Sequence, residues 1–410
     1  MKRKLIIMLV AIFLLTGCAS DNKQKDITTK HSKKINSTSV TAEKEIENSQ
    51  IVSGNLEDTL SQFEDVTNIE YVGNDRLLVI TDQMYLIDTA SGEILAQSPD
   101  CYYVKDNIKV YSDKENIIIV GRGFPNPKDD KSKKTFTTYT ENDKNQPRIH
   151  VLYYDKHLNL SKKINIFKMF ALDPLLTDEI AVSTDGKLAV YDDSTNGLYL
   201  CNTDTKQKEK ILYAKDNELI YKNKLQFFIS GIAFGQNDDK IIFRASCLDY
   251  PSKDGDQSIP GYGSVTLDGK ELYVEKAGDE YNNMEAFSEF AIISQDCGFT
   301  SPTGKIMKYS FSNNKTEVIQ LKTKEESNNL YSSSEGNIIA TTEENGDKGW
   351  NIRFYNTKSG ELIKEQKYND LSSKNYHGPR IFVFENQNIA VLSAGSSKEK
   401  GKDVLHVIQL

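Results

Sequence analysis

The stretch NIIATTEENGDKGWNIRFYNTKSGELIKEQ, residues 337–366, decides how the chain reads. It runs as strand, polar loop, alternating strand, tight turn, strand. Trp350, Ile352 and Phe354 alternate with Asn351, Arg353 and Tyr355, the period of two that marks a half-buried strand. Asn356-Thr357-Lys358-Ser359-Gly360 supplies turn chemistry before Glu361-Leu362-Ile363 resumes the sheet.

The same unit recurs in both directions. Leu77 to Ile80, Met84 to Ile87 and the turn at Asp88 to Gly92 form a first copy. Ile117 to Val120, Ile149 to Tyr154 and Lys163 to Ile166 form a second with a long insertion; Leu188 to Tyr191, Leu198 to Asn202 and Lys210 to Leu212 form a third. Ile241 to Phe243 with Gly263 to Leu267, and Phe290 to Ser294 with Ile306 to Phe311, open the fourth and fifth; the quoted stretch is the sixth. Arg380 to Phe384, Ile389 to Leu392 and Val404 to Leu410 make a seventh that stops one strand short. The turns that begin at 268, 312 and 356 are a constant 44 residues apart, the length of a four-stranded propeller blade. A further strand candidate precedes each copy, such as Asn68 to Val72, Phe228 to Phe234 or Leu330 to Ser333.

On these repeats, residues 51–410 resemble the WD40-like and YVTN-like bacterial β-propellers. The resemblance implies an all-β, seven-bladed ring of four-stranded blades. Closure removes exposed sheet edges, so the short seventh blade is expected to take its missing strand from the N-terminus, with Ile51-Val52 as the candidate. Two stacked β-sandwiches are the rival architecture.

The N-terminus gives an address. Lys2-Arg3-Lys4 precedes the eleven apolar residues Leu5 to Leu15, a length that rises only about 16 Å as a helix against a bilayer core of roughly 30 Å. Residues 1–17 therefore read as a signal segment. Leu15-Thr16-Gly17-Cys18 resembles the lipobox of bacterial lipoproteins, and the resemblance implies cleavage before Cys18 and a diacylglycerol thioether on its sulfur. Two acyl chains, at about 0.8 kcal/mol per buried CH2, make a stable anchor where one is marginal. Residues 18–50 carry Ser, Thr, Asn, Lys and Glu with no aromatic and read as a flexible tether. Localisation on the extracytoplasmic side of the cell membrane is the expectation.

Composition sets limits. Loss of Lys2, Arg3 and Lys4 takes the formal charge from −8 to −11, which argues against nucleic acid as a partner. The insertions fall in the loops between second and third strands, which share one rim. Their aromatics, Phe124, Phe136, Tyr139, Tyr250, Tyr262 and Phe299, with Trp350, are the candidate binding face for a protein, peptide or glycan. No catalytic constellation is legible. The five histidines, His31, His150, His157, His377 and His406, are scattered; Gly261-Tyr262-Gly263-Ser264 is not a nucleophile elbow. Asp249, Asp254 and Asp256 around Gly255 suggest a calcium loop only faintly, lacking its regular ladder. Cys101, Cys201, Cys247 and Cys297 lack metal-ligand spacing; buried free thiols are expected, and a Cys247–Cys297 disulfide is the alternative. The reading is a monomeric, lipid-anchored binding or scaffolding module with neither metal nor cofactor. Its rival is a hydrolase or lyase with an acidic site in the central channel.

Overall fold

A computed structural model describes residues 54–98, 104–123, 148–172, 177–193, 195–214, 219–222, 225–235, 237–248, 258–277, 281, 283–287, 289–294, 304–322, 329–372, 374–398 and 402–410. All belong to one compact unit, Ser49–Leu410. The expectations for Cys18, the tether and Ile51-Val52 lie outside the described residues.

Seven antiparallel sheets follow one another along the chain. Blade one holds β1 (Asn68–Tyr71), β2 (Arg76–Ile80), β3 (Met84–Asp88) and β4 (Ile94–Gln97). Blade two holds β5 (Val104–Ser112), β6 (Ile117–Gly123), β7 (Arg148–Tyr154) and β8 (Leu160–Asn165), followed by the short helix α2 (Ile166–Phe170). Blade three holds β9 (Thr177–Val182), β10 (Leu188–Asp193), β11 (Gly197–Asn202) and β12 (Gln207–Lys210). Blade four has five strands, β13 (Leu219–Tyr221), β14 (Leu225–Phe234), β15 (Lys240–Leu248), β16 (Ser258–Thr266) and β17 (Leu272–Lys276). Blade five holds β18 (Asn283–Ala286), β19 (Phe290–Ser294), β20 (Lys305–Ser310) and β21 (Lys315–Gln320). Blade six, the quoted stretch, holds β22 (Asn329–Ser332), β23 (Ile338–Glu344), β24 (Trp350–Asn356) and β25 (Leu362–Tyr368). Among the described residues blade seven has three strands, β26 (Arg380–Phe384), β27 (Ile389–Gly395) and β28 (Asp403–Gln409).

The side chains show why these sheets form a ring. In β2, Leu77 and Val79 pack with blade seven, whereas Leu78 and Ile80 pack with blade two. Every second strand repeats this, so its residues are apolar on both faces and the blades stack face to face. Seven apolar clusters result, one between each neighbouring pair, and the last joins blade seven to blade one. The ring is closed: the body is a seven-bladed β-propeller.

Stacking also corrects the reading of β24 as half-buried. Asn351 and Arg353 are 6% and 9% exposed, because blade five covers the face that an isolated sheet would give to water. Their polar groups are satisfied locally: the Asn351 amide donates to Glu343 (3.1 Å), and the Arg353 guanidinium meets Glu343 (2.8 Å) and Glu365 (3.1 Å).

A repeated turn locks each outer edge. Asp88, Asn202 and Asn356 end the third strands of blades one, three and six, and each side chain accepts from the backbone three residues on. The threonine that follows, Thr89, Thr203 or Thr357, bonds the turn between first and second strands. At the fifth position of that turn Gly360 has φ +70°, and a Cβ there would stand 2.1 Å from the Gln320 carbonyl oxygen of blade five. Gly346, at φ +58°, has nothing within 4 Å of its Cβ position. Both substitutions to alanine carry the left-handed penalty of about 1–2 kcal/mol. Only Gly360→Ala must also push two blades apart. We expect it to lose at least about 2 kcal/mol more than Gly346→Ala in urea unfolding; equal losses would show that the turn does not dock.

Gly92 shows how the seventh blade is completed. Its Cβ position lies 2.5 Å from the carbonyl oxygen of Asn55, in α1 (Gly54–Leu60). In blade one α1 therefore occupies the place that β21 of blade five takes against Gly360. Leu56 and Leu60 sit fully buried among Ile389, Val391 and Leu405, and Thr59 donates to the Gly92 carbonyl (2.7 Å). Among the described residues, what covers β28 is a helix. Arg380 adds donors to the carbonyls of Thr67 (3.0 Å) and Val66, and the Val66 amide donates to Asp403 (2.9 Å).

Candidate functional site: the central channel

Among the inner strands, the inward edges of β1, β5, β9, β18, β22 and β26 carry no strand of their own sheets, and β14 pairs with the short β13 at Leu225 to Phe227. Those edges surround a channel of about 790 Å3, within the range of small-molecule sites. Its charged lining comes from four blades: Glu70 from β1, Lys109 from β5 and Arg122 from β6, Arg244 from β15, and Glu285 from β18.

Local structure explains each placement. Asn68-Ile-Glu70-Tyr71 and Asn283-Met-Glu285-Ala286 are four-residue strands of the same pattern, and blades one and five face each other across a seven-membered ring. Asn68 donates to Glu70 (3.2 Å), and Ser332 on neighbouring blade six bonds Glu285. Arg244 belongs to a second strand and needs an opening. It faces Gly231, where β14 bulges; a Cβ on Gly231 would lie 2.7 Å from the Arg244 Nε. The absent side chain lets the guanidinium through, and it donates to the Ser230 carbonyl (2.7 Å) on the way.

Enclosure governs the protonation of this lining. Burial lifts the Glu70 carboxyl to about 7; the bond from Asn68 opposes the rise and the charge of Glu285 adds to it. Burial also raises Glu285, offset by the bond to Ser332 and by the ammonium of Lys109. Burial, with the charges of Asp238 and Glu70, raises the Tyr111 phenol, so it stays neutral. Glu285 and Lys109 still reach channel water, and Glu70, Arg122 and Arg244 are half-buried. Such a lining can hold a polar ligand by charge at both signs, and Glu70 can carry or release a proton near neutrality.

The aromatics expected on the loop rim fall elsewhere or lie outside the described residues. Trp350 is 4% exposed between blades six and seven, and Tyr262 is 2% exposed between blades four and five, its hydroxyl donating to Glu275 (3.0 Å). Neither ring faces solvent, which corrects that expectation: both side chains continue the buried faces of strands stacked on two sides. Phe124, Phe136, Tyr139, Tyr250 and Phe299, the acidic loop at Asp249, Asp254 and Asp256, and Cys101 and Cys297 lie outside the described residues. Cys201 and Cys247 are free and buried, with burial raising both thiols, Cys201 to about 12. They are packing residues. His150 is fully buried, and His157 and His377 are exposed away from the channel lining.

The sequence reading put an acidic site in the central channel only for the rival enzyme and named no residue there, its candidate residues all being loop aromatics. A signal existed: a carboxylate inside a strand that must be covered by blades on both sides.

No protein-family model matches the chain, and no curated protein does. Among solved structures it is similar to a Kuenenia stuttgartiensis hydrazine synthase chain, at 9% identity and TM-score 0.48 over 85% of this chain and 96% of that one. It is also similar to the β-propeller domain of Cps50 (Swd1) from Myceliophteria thermophila, at 10% identity and TM-score 0.46 over 85% of this chain and 99% of that one.

Proposed function

We propose that the protein is a lipid-anchored, extracytoplasmic binding or scaffolding module for a protein, peptide or glycan at the cell envelope. One observation carries the binding role: a closed ring surrounds a charged channel. The sequence adds long connections between second and third strands, such as the one between Gly123 and Arg148. The Leu15-Thr16-Gly17-Cys18 motif supports the anchor. Removing the thiol that takes the lipid leaves a secreted or mistargeted chain, so Cys18→Ala should shift the protein out of the membrane fraction. Deleting 126–146 should abolish stoichiometric co-purification of a partner from detergent-solubilised membranes. An unchanged membrane fraction rejects the anchor, and unchanged partner capture rejects that loop.

A second reading, a hydrolase or lyase acting in the channel, is favoured by the carboxylate pair. Glu70, protonated near neutrality opposite Glu285, has the state that a general acid needs. Substrate turnover that survives Glu70→Gln would dismiss it.

A further inference from the structure

The charges in the channel are sorted along its axis. Glu70 and Glu285 each lie one residue before the end of an inner strand, beside the rim that carries the turns between first and second strands. Arg244 pairs with Gly231, three residues before the end of β14 at Phe234. Arg122 lies five residues beyond Ile117, whose partner Ser112 ends β5. At about 3.3 Å per residue, the guanidinium positions are about 7 Å and about 13 Å deeper than the carboxylates. Lys109, three residues from the end of β5, stands level with Arg244, and its ammonium acts on Glu285.

We infer that the channel is a binding site for a free zwitterion of about dipeptide length, its ammonium toward Glu70 and Glu285 and its carboxylate toward Arg244 and Arg122. The spacing selects the class. Two extended residues span about 7 Å, the depth that separates the carboxylates from Arg244. A simple anion would meet Glu70 and Glu285 at one end, and a simple cation would meet the guanidiniums at the other. Arginine suits the carboxylate end because its planar fork bonds both oxygens. Those inward edges that carry no strand of their own sheet add amide and carbonyl groups for the peptide bond. Apolar side chains of the inner strands, Ile232, Met284 and Phe382 among them, also line the channel and suit small aliphatic residues.

The test uses the full chain in detergent micelles and titrates L-alanyl-L-alanine, N-acetyl-alanyl-alanine and alanyl-alanine amide by calorimetry. We expect one site for the free dipeptide and at least tenfold weaker binding of each blocked form. The decisive result is a pair of cycles. In Glu285→Gln the penalty for acetylating the amine should disappear while the amide penalty stays; in Arg244→Gln the reverse should hold. A variant that merely damaged the fold would weaken all three ligands alike, and Lys109→Gln stands in should Arg244→Gln fail to fold. No binding of the free dipeptide up to about 10 mM, or equal binding of free and blocked forms, overturns the assignment. The inference rests on reading the body as a binding module, which partner capture from membranes tests separately. Captured partner with a flat titration removes the channel assignment alone, whereas dipeptide binding without a partner removes the envelope scaffold alone.

Discussion

Replacing Leu56 and Leu60 together by alanine is expected to abolish the folded ring, or to leave it only marginally stable. Both side chains are fully buried, and they pack where blade seven meets blade one. A buried Leu→Ala change costs about 2–5 kcal/mol through lost transfer energy and the cavity left behind. Two of them in one small cluster approach the 5–15 kcal/mol that holds a whole domain. Among the described residues the seam is also less braced than its neighbours, since blade seven has three strands there and helix α1 packs beside β28. Urea unfolding followed by far-ultraviolet circular dichroism is the measurement. The surface bond between Glu57 and His406 (3.0 Å, both partly exposed) should matter far less, so Glu57→Gln should stay within about 1 kcal/mol. A double-leucine variant with the wild-type midpoint would show that α1 is an ornament and that another segment closes the ring.

Glu70→Gln should make the protein more stable, but only above mildly acidic pH. In the unfolded chain Glu70 ionises near its ordinary 4.5; in the channel it keeps its proton to about 7. Between those values the native state binds more protons than the unfolded one, so wild-type stability falls as pH rises through that window. It is highest below 4.5 and reaches its low plateau above 7. Glutamine mimics the protonated acid and does not titrate. The variant should match wild type at pH 4 and exceed it at pH 8 by at most about 3 kcal/mol, from 1.36 kcal/mol per unit. Contact with channel water should reduce that to about half. Urea midpoints at the two pH values decide it. Parallel curves would mean that Glu70 ionises normally in the folded protein.

The ring itself was legible because each blade writes three strong strands. Leu77-Leu78-Val79-Ile80 and Ile389-Ala390-Val391-Leu392 are apolar on both faces, and polar turns punctuate the strands, those at 268, 312 and 356 a constant 44 residues apart. What escaped was short or read from the wrong neighbour. Gly54 to Leu60 offers just two leucines four apart, one turn of helix, which is too little for periodicity to register. The extra strand β13 has three residues. Trp350 suggested a binding surface because it begins a strand after a polar loop, yet it shares parity with Ile352 and Phe354 and follows them into the core. Arg244 was illegible for a different reason. Its entry into the channel depends on Gly231, distant in sequence and opposite in register, and only the paired strands bring that gap to the guanidinium.

The helix that fastens blade seven to blade one has a mechanical meaning. It is the first described element of the chain, so under the proposed N-terminal anchor a pull reaches α1 before it reaches any described strand. Leu56 and Leu60 are held by packing, and Thr59 by one hydrogen bond to Gly92. A sheet strand would have been held by a ladder of bonds. If the proposed anchor and partner hold the two ends, load between them would therefore unclip the ring at a single seam while all seven sheets kept their internal hydrogen bonds. In a force spectrum this would register as one small early release, well below the force that strips the first blade.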